Sequence, residues 1–218
     1  MKRLVAHFIN AVKLFPLPSI RIRAVSFSLA ILVVLATTGC ISHPVAFDSP
    51  IYHVPRSDAS RGGVAIVAVI DPSTLGQTYA VHSWLTGIAN SWNAEPGRML
   101  EDVVKIELPQ AFGRLNLAPA YAEPEKGDHK LIVVFTIPRY DFAKFHASLD
   151  VHAVVYRPGH VQVLGKTYHA EGFTQGAKMF WGGAFAMKSA IRQSSLDAFK
   201  KIFAELRHDL EGVLATET

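Results

Sequence analysis

Apolar positions recur along this chain on two periods, and the switches between them mark its elements. Residues 64–70, VAIVAVI, follow Gly62-Gly63 and stop at Asp71-Pro72; a short β-branched run so bounded predicts a buried strand. From Pro96 to about Leu108 the residues Leu100, Val103, Val104 and Leu108 fall at helical spacing, with Glu101 and Asp102 near the positive end. Pro109 lacks an amide hydrogen and should end or kink that helix. Residues 131–137 form a second apolar run, expected near the middle of a sheet, with Pro138 limiting its pairing. Beyond it Phe145, Ala147, Leu149, Val151, Ala153 and Val155 alternate with His146, Ser148, Asp150 and His152, so one face should be buried and the other wet.

Arg157-Pro158-Gly159-His160 suits a type II turn, returning the chain as a hairpin through residues 161–172. With Pro158 and Gly159 at the tip, Leu149 faces Tyr168 and His146 faces Glu171, unless a bulge at Gly165 shifts the register. The last stripe, Met187, Ile191, Ala198, Phe199, Ile202, Phe203, Leu206 and Leu210, predicts a long helix over 184–210, with Arg207 and His208 near its negative end and Gly212 as its cap. Residues 74–93, with Tyr79, Trp84 and Trp92, show no period that separates loop, helix and strand. The expected fold class is α+β: a mostly antiparallel sheet of about four strands with two helices packed on one face.

The start of the chain follows a different pattern. Residues 24–36, AVSFSLAILVVLA, are apolar behind Arg21 and Arg23, and at a helical rise they span only about 20 Å, short of a hydrocarbon core of about 30 Å. They read as an export signal and not as a permanent span. Thr37, Thr38, Gly39 and Cys40 follow, and TTGC resembles the bacterial lipobox, whose cysteine is acylated and becomes the mature N-terminus. Thr37 stands where leucine is usual. Residues 1–39 are then a lipoprotein signal peptide, 40–62 a lipidated N-terminus and extended tether carrying Pro44, Pro50 and Pro55, and 63–218 a single periplasmic body. Ile41 and Ser42 follow Cys40 where an aspartate would favour retention at the inner membrane, so the resemblance implies the outer membrane.

Charge supports that division. The chain has 22 bases and 18 acids, but Lys2, Arg3, Lys13, Arg21 and Arg23 lie in the first 40 residues, which hold no acid, leaving 17 bases against 18 acids. The basic pI therefore belongs to the leader, and no nucleic-acid partner is expected. With half of its residues apolar and 18% charged, the chain should fold rather than stay disordered. Cys40 is its only cysteine, so neither a disulfide framework nor a second thiol is available.

Candidate chemistry gathers on the hairpin. Its wet face should carry His146, Asp150, His152, His169 and Glu171, types that bind metals or move protons. Residues six apart on a strand lie about 20 Å apart, so His146 and His152 cannot share an ion; a set of His146, His169 and Glu171 stays open, and no metal site is assigned. A solvated sheet face explains the same residues without a metal. Ser194 and Ser195 lack a G-x-S-x-G elbow and read as helix surface; H-E-x-x-H, a Walker loop and G-x-G-x-x-G are absent from the sequence. No catalytic residue and no cofactor is assigned. Residues 172–183, GFTQGAKMFWGG, place Phe173, Met179, Phe180 and Trp181 between glycines, as a loop for partner contact or as core beneath the helix.

Trp92, Ala94-Glu95-Pro96 and Met99-Leu100 ahead of a helix resemble the auxiliary lipoproteins of ABC-type transport systems, as does the order lipobox, helix, hairpin and long C-terminal helix between Cys40 and Leu210. The resemblance implies a membrane-anchored, non-enzymatic accessory of a lipid transporter or envelope assembly machine, bound to the bilayer through acylated Cys40 and to an envelope protein through its body. Its rivals are a periplasmic metal-dependent enzyme on the histidine face and a purely structural envelope lipoprotein.

Overall fold

The computed structural model describes residues 41–48, 50, 52–54, 64–81, 90–123 and 129–216. Contacts divide the chain into Met1–Ile41 and Ser42–Thr218. The leader, Cys40, Gly62-Gly63 and Trp84 lie outside the described residues. The elements run β1 (Ile41–Val45), β2 (Val64–Ile70), α1 (Pro72–Leu75), β3 (Tyr79–Val81), β4 (Asn90–Ala94), α2 (Pro96–Phe112), β5 (Gly113–Ala118), β6 (His129–Ala143), β7 (His146–Arg157), β8 (Val161–Glu171) and α3 (Gly176–Ala215).

The class is α+β, but the main sheet is neither mostly antiparallel nor four-stranded. It has five strands in the order β5-β2-β6-β7-β8; β2 runs parallel to both β5 and β6, and β6, β7 and β8 are antiparallel. The strand missing from the sequence reading is β5, GRLNLA, whose only large apolar residues are Leu115 and Leu117 and which leaves α2 directly through Gly113 at φ 111°. Gly113 is the single stop signal between helix and strand, with no polar turn beside it. A second sheet, β1-β4-β3, comes from the expected tether and from the stretch that showed no period.

The segment expected to be an extended tether is partly built into the body. Val45, Phe47 and Val54 are buried in the core, the Glu95 amide donates to the Val45 carbonyl at 2.9 Å, and the Val54 amide donates to Gln110 Oε1 at 2.8 Å. From α3, Arg192 Nε–H donates to the Ala46 carbonyl at 2.6 Å, and the same guanidinium pairs with Asp48. The side chains explain the difference: Val45 and Phe47 are large apolar groups two apart, a strand-edge pattern hidden among prolines.

α2 and α3 cover one face of the main sheet. Met99, Leu100, Val103, Val104 and Leu108 meet Ile191, Phe199, Ile202, Phe203 and Leu206 over Ile66, Leu131, Val133, Leu149 and Val151 in one core. Between the helices Arg207 Nη1 donates to Glu107 Oε2 at 2.6 Å; Glu107 is buried, and burial raises its carboxyl above the usual range against the pull of Arg207.

Three helix boundaries differ from expectation. α2 continues through Pro109 to Phe112, because Leu108, Ala111 and Phe112 are fully buried and hold the last turn in place despite the lost amide. α3 begins at Gly176, so the backbone of most of the expected aromatic loop is helical. It ends at Ala215 with Thr216 as its cap, leaving Gly212 inside, and no basic residue lies in its last turn. Arg157 of β7 serves that end instead, donating to the Val213 carbonyl at 3.0 Å.

The hairpin is present with a corrected register. Arg157 faces Val161 across a three-residue loop in which Gly159 and His160 take positive φ, and a shift at Val155/Tyr156 adds Val163 to β8. Leu149 therefore faces Ala170, and Ser148, not His146, faces Glu171. Displacement by two residues preserves which face each side chain occupies.

Candidate functional site

The alternation along β7 holds in part: Ala147, Leu149, Val151, Ala153 and Val155 are buried and His146, Asp150 and His152 are half-buried on the opposite face, but Ser148, expected to be wet, is buried, and Phe145 lies in the turn before the strand. Register assembles the polar rows there. Arg139, Asp150 and His169 lie abreast, and His169 Nδ1–H donates to Asp150 Oδ1 at 2.5 Å; in the next row His152 Nδ1 lies 2.9 Å from Thr167 Oγ1. His146 Nε2 lies 3.8 Å from Glu171 Oε2 as a diagonal neighbour. The structure thus makes two separate pairs, His169–Asp150 and His146–Glu171. Among the described residues no three His, Cys, Asp or Glu side chains are grouped to hold a metal ion. Farther along this face Val67, Val69, Ile132 and Val134 form a small apolar cluster with Tyr121 and Tyr156, and His160 stacks on Tyr156 at 4.9 Å.

Ser194 and Ser195 are not on the helix surface. Both are buried: Ser194 Oγ accepts from the Ala147 amide at 2.8 Å, and Ser195 Oγ lies 2.8 Å from the Tyr140 hydroxyl. Burial pushes the Tyr140 hydroxyl well above its ordinary range, so it stays a neutral donor or acceptor. A Cβ at Gly172 would lie 1.9 Å from the Ser194 carbonyl oxygen, and this close approach requires glycine there. These contacts pin α3 to the end of β7 and have the character of structure.

Of the four residues expected to meet a partner, Phe173 is exposed, at 67% of its full surface. Its amide donates to Asp197 Oδ2 at 3.0 Å, and Lys201 Nζ sits 4.4 Å from its ring centre, so the ring is held on the outside of α3. Met179, Phe180 and Trp181 lie in the first turns of α3, and their side chains lie outside the described residues. Trp92, in the stretch that showed no period, is buried in the core.

The sequence reading missed a groove of about 790 Å³ between β8 and the end of α3, walled by Arg157, Leu164, Lys166, His208, Asp209 and Gly212. Asp209 organises it: Lys166 Nζ and the Tyr168 hydroxyl both donate to its Oδ2 at 2.8 Å. The hydrogen bond from Lys166 holds its carboxyl below the usual range, and burial, reinforced by Asp209, raises the Tyr168 hydroxyl. β8 is the last strand of its sheet, with Val161 exposed, so its outer backbone edge has no strand partner among the described residues. Only the register of Lys166 with α3 could have revealed this groove, and that register depends on the bulge at Val163.

No family model matches the chain, and no curated protein matches it. Five solved chains are similar to it, two of which are described. A hypothetical protein from Chlamydia trachomatis is 13% identical, matching 70% of this chain and 99% of its own with a TM-score of 0.41. An uncharacterized protein is 15% identical over 81% of this chain and 99% of its own, with a TM-score of 0.34.

Proposed function

We propose that the protein is a non-enzymatic lipoprotein, acylated at Cys40 and held in the bacterial outer membrane facing the periplasm. Its body acts there as an accessory of an envelope machine, a lipid ABC transporter or an assembly complex. The observation that carries the reading is the short apolar run ending in TTGC at the sole cysteine, directly ahead of a folded body. Two or more acyl chains, at about 0.8 kcal/mol per buried methylene, suffice for stable anchoring. Docking is assigned to the open edge of β8 beside the Asp209 groove, where an extended partner segment adds as a strand.

The test has two parts. Mass spectrometry of the cellular protein is expected to find acyl chains on Cys40, and Cys40→Ser to release the protein from membranes. A photocrosslinker at Gln162 on β8 is expected to trap one discrete envelope component, lost when Gly165→Pro disrupts the edge. An unmodified Cys40 overturns the anchoring; a clean Gln162 with anchoring intact leaves a purely structural lipoprotein.

A further inference from the structure

We propose that the outward face of the β1-β4-β3 sheet rests on the bilayer that holds the acyl chains of Cys40. The inference rests on acylation at Cys40 and on how little chain separates that residue from the folded body. A lipoprotein with a long flexible leader can stand off its membrane; this one has no length to do so. β1 begins at Ile41, Val45 and Phe47 are buried, the Val45 carbonyl accepts from Glu95, and Arg192 grips the carbonyl of Ala46 and the carboxylate of Asp48. Consecutive Cα atoms are 3.8 Å apart, so Cys40 has at most about 8 Å of reach from Ser42. Chains sunk in the hydrocarbon therefore draw β1 to the headgroups.

The exposure pattern says which face meets them. Val45, Val81, Trp92 and Ala94 point inward to the core. Ser42, Pro44 and Ala80 are exposed, and Ser91 and Asn93 half-buried, with Ala80 paired to Asn93 across β3 and β4. These outward residues are small and carry no charge. Setting them against headgroups strips no ion of its water, whereas the charged sheet face around Arg139, Asp150 and His169 would require that. Among the described residues the face has no large apolar group to insert, so contact is at the headgroup level.

Cys40, once acylated, no longer reacts with maleimides, so an Asn93→Cys substitution gives one labelling site. The full-length acylated protein is reconstituted in phosphatidylethanolamine–phosphatidylglycerol vesicles, alongside a version with a Gly/Ser insert of 15 residues between Cys40 and Ile41, which adds a root-mean-square reach of about 20 Å. Labelling of Asn93→Cys by a bulky maleimide is expected to be at least about fivefold slower without the insert, an effective occlusion of order 1 kcal/mol. Gln162→Cys on β8 is expected to react at one rate in both. Equal rates at Asn93→Cys with acylation verified overturn the contact, as does slowing at both positions alike. An unmodified Cys40 overturns the anchoring and the inference with it. Pro44→Cys repeats the measurement on β1 should Asn93→Cys alter the melting transition.

Discussion

Arg207 is the residue whose removal should be felt most. It faces Glu107 in a nearly dry site, and without it the buried carboxylate keeps only the Tyr52 hydroxyl and the weaker pull of Lys200. Arg207→Ala is expected to lower unfolding free energy by about 3 kcal/mol at neutral pH in urea denaturation. The pH dependence has a definite sign. Glu107 already binds its proton more tightly folded than unfolded, and losing Arg207 raises its pKa further, so the folded variant gains protons as pH falls. The deficit relative to wild type should shrink on acidification through that raised range and grow above it. A deficit constant with pH would show that Glu107 does not carry the charge. Neither partner was legible in the sequence, because Glu107 and Arg207 are 100 residues apart and each looks like an ordinary helix-surface charge.

At the scale of elements, periodicity was informative wherever the period ran long. β2, β6, β7, α2 and α3 are all present around the residues that predicted them, and the alternation on β7 assigns its faces apart from the buried Ser148. The failures share a physical cause, which is that contact at a distance overrides local signals. β5 is too short and too polar to be seen without β2 beside it, and the glycines before residue 184 do not stop α3. Pro109 is the sharpest case. It removes the amide that would bond the Lys105 carbonyl, yet burial of Phe112 carries the helix past it. Pro109→Ala is thus expected to stabilise the protein by about 1 kcal/mol, read as a higher thermal midpoint, since it restores a donor without touching the apolar face. A fall in the midpoint would mean that the proline ring itself packs usefully.

For the molecule as a whole, the candidate site was only half legible. The polar face of the hairpin followed from alternation, and the expected register already brought His146 to Glu171, but the His169–Asp150 pair depends on a bulge that composition does not locate. The Asp209 groove joins β8 to the far end of α3 and has no local signature. The boundary expected at residue 63 fares differently, since it would discard Val45, Phe47 and Val54. At about 1.5–3 kcal/mol for each buried side chain, their loss approaches the whole stability of a typical domain. A protein beginning at residue 63 is therefore expected to lack a cooperative thermal transition, while one beginning at Ile41 keeps it; circular dichroism melting distinguishes the two. The clasp between Arg192 and Ala46 joins positions 146 residues apart. It closes only when the final helix has been made, so the first of these strands waits for nearly the last-made residues and stays open to proteolysis for that whole interval.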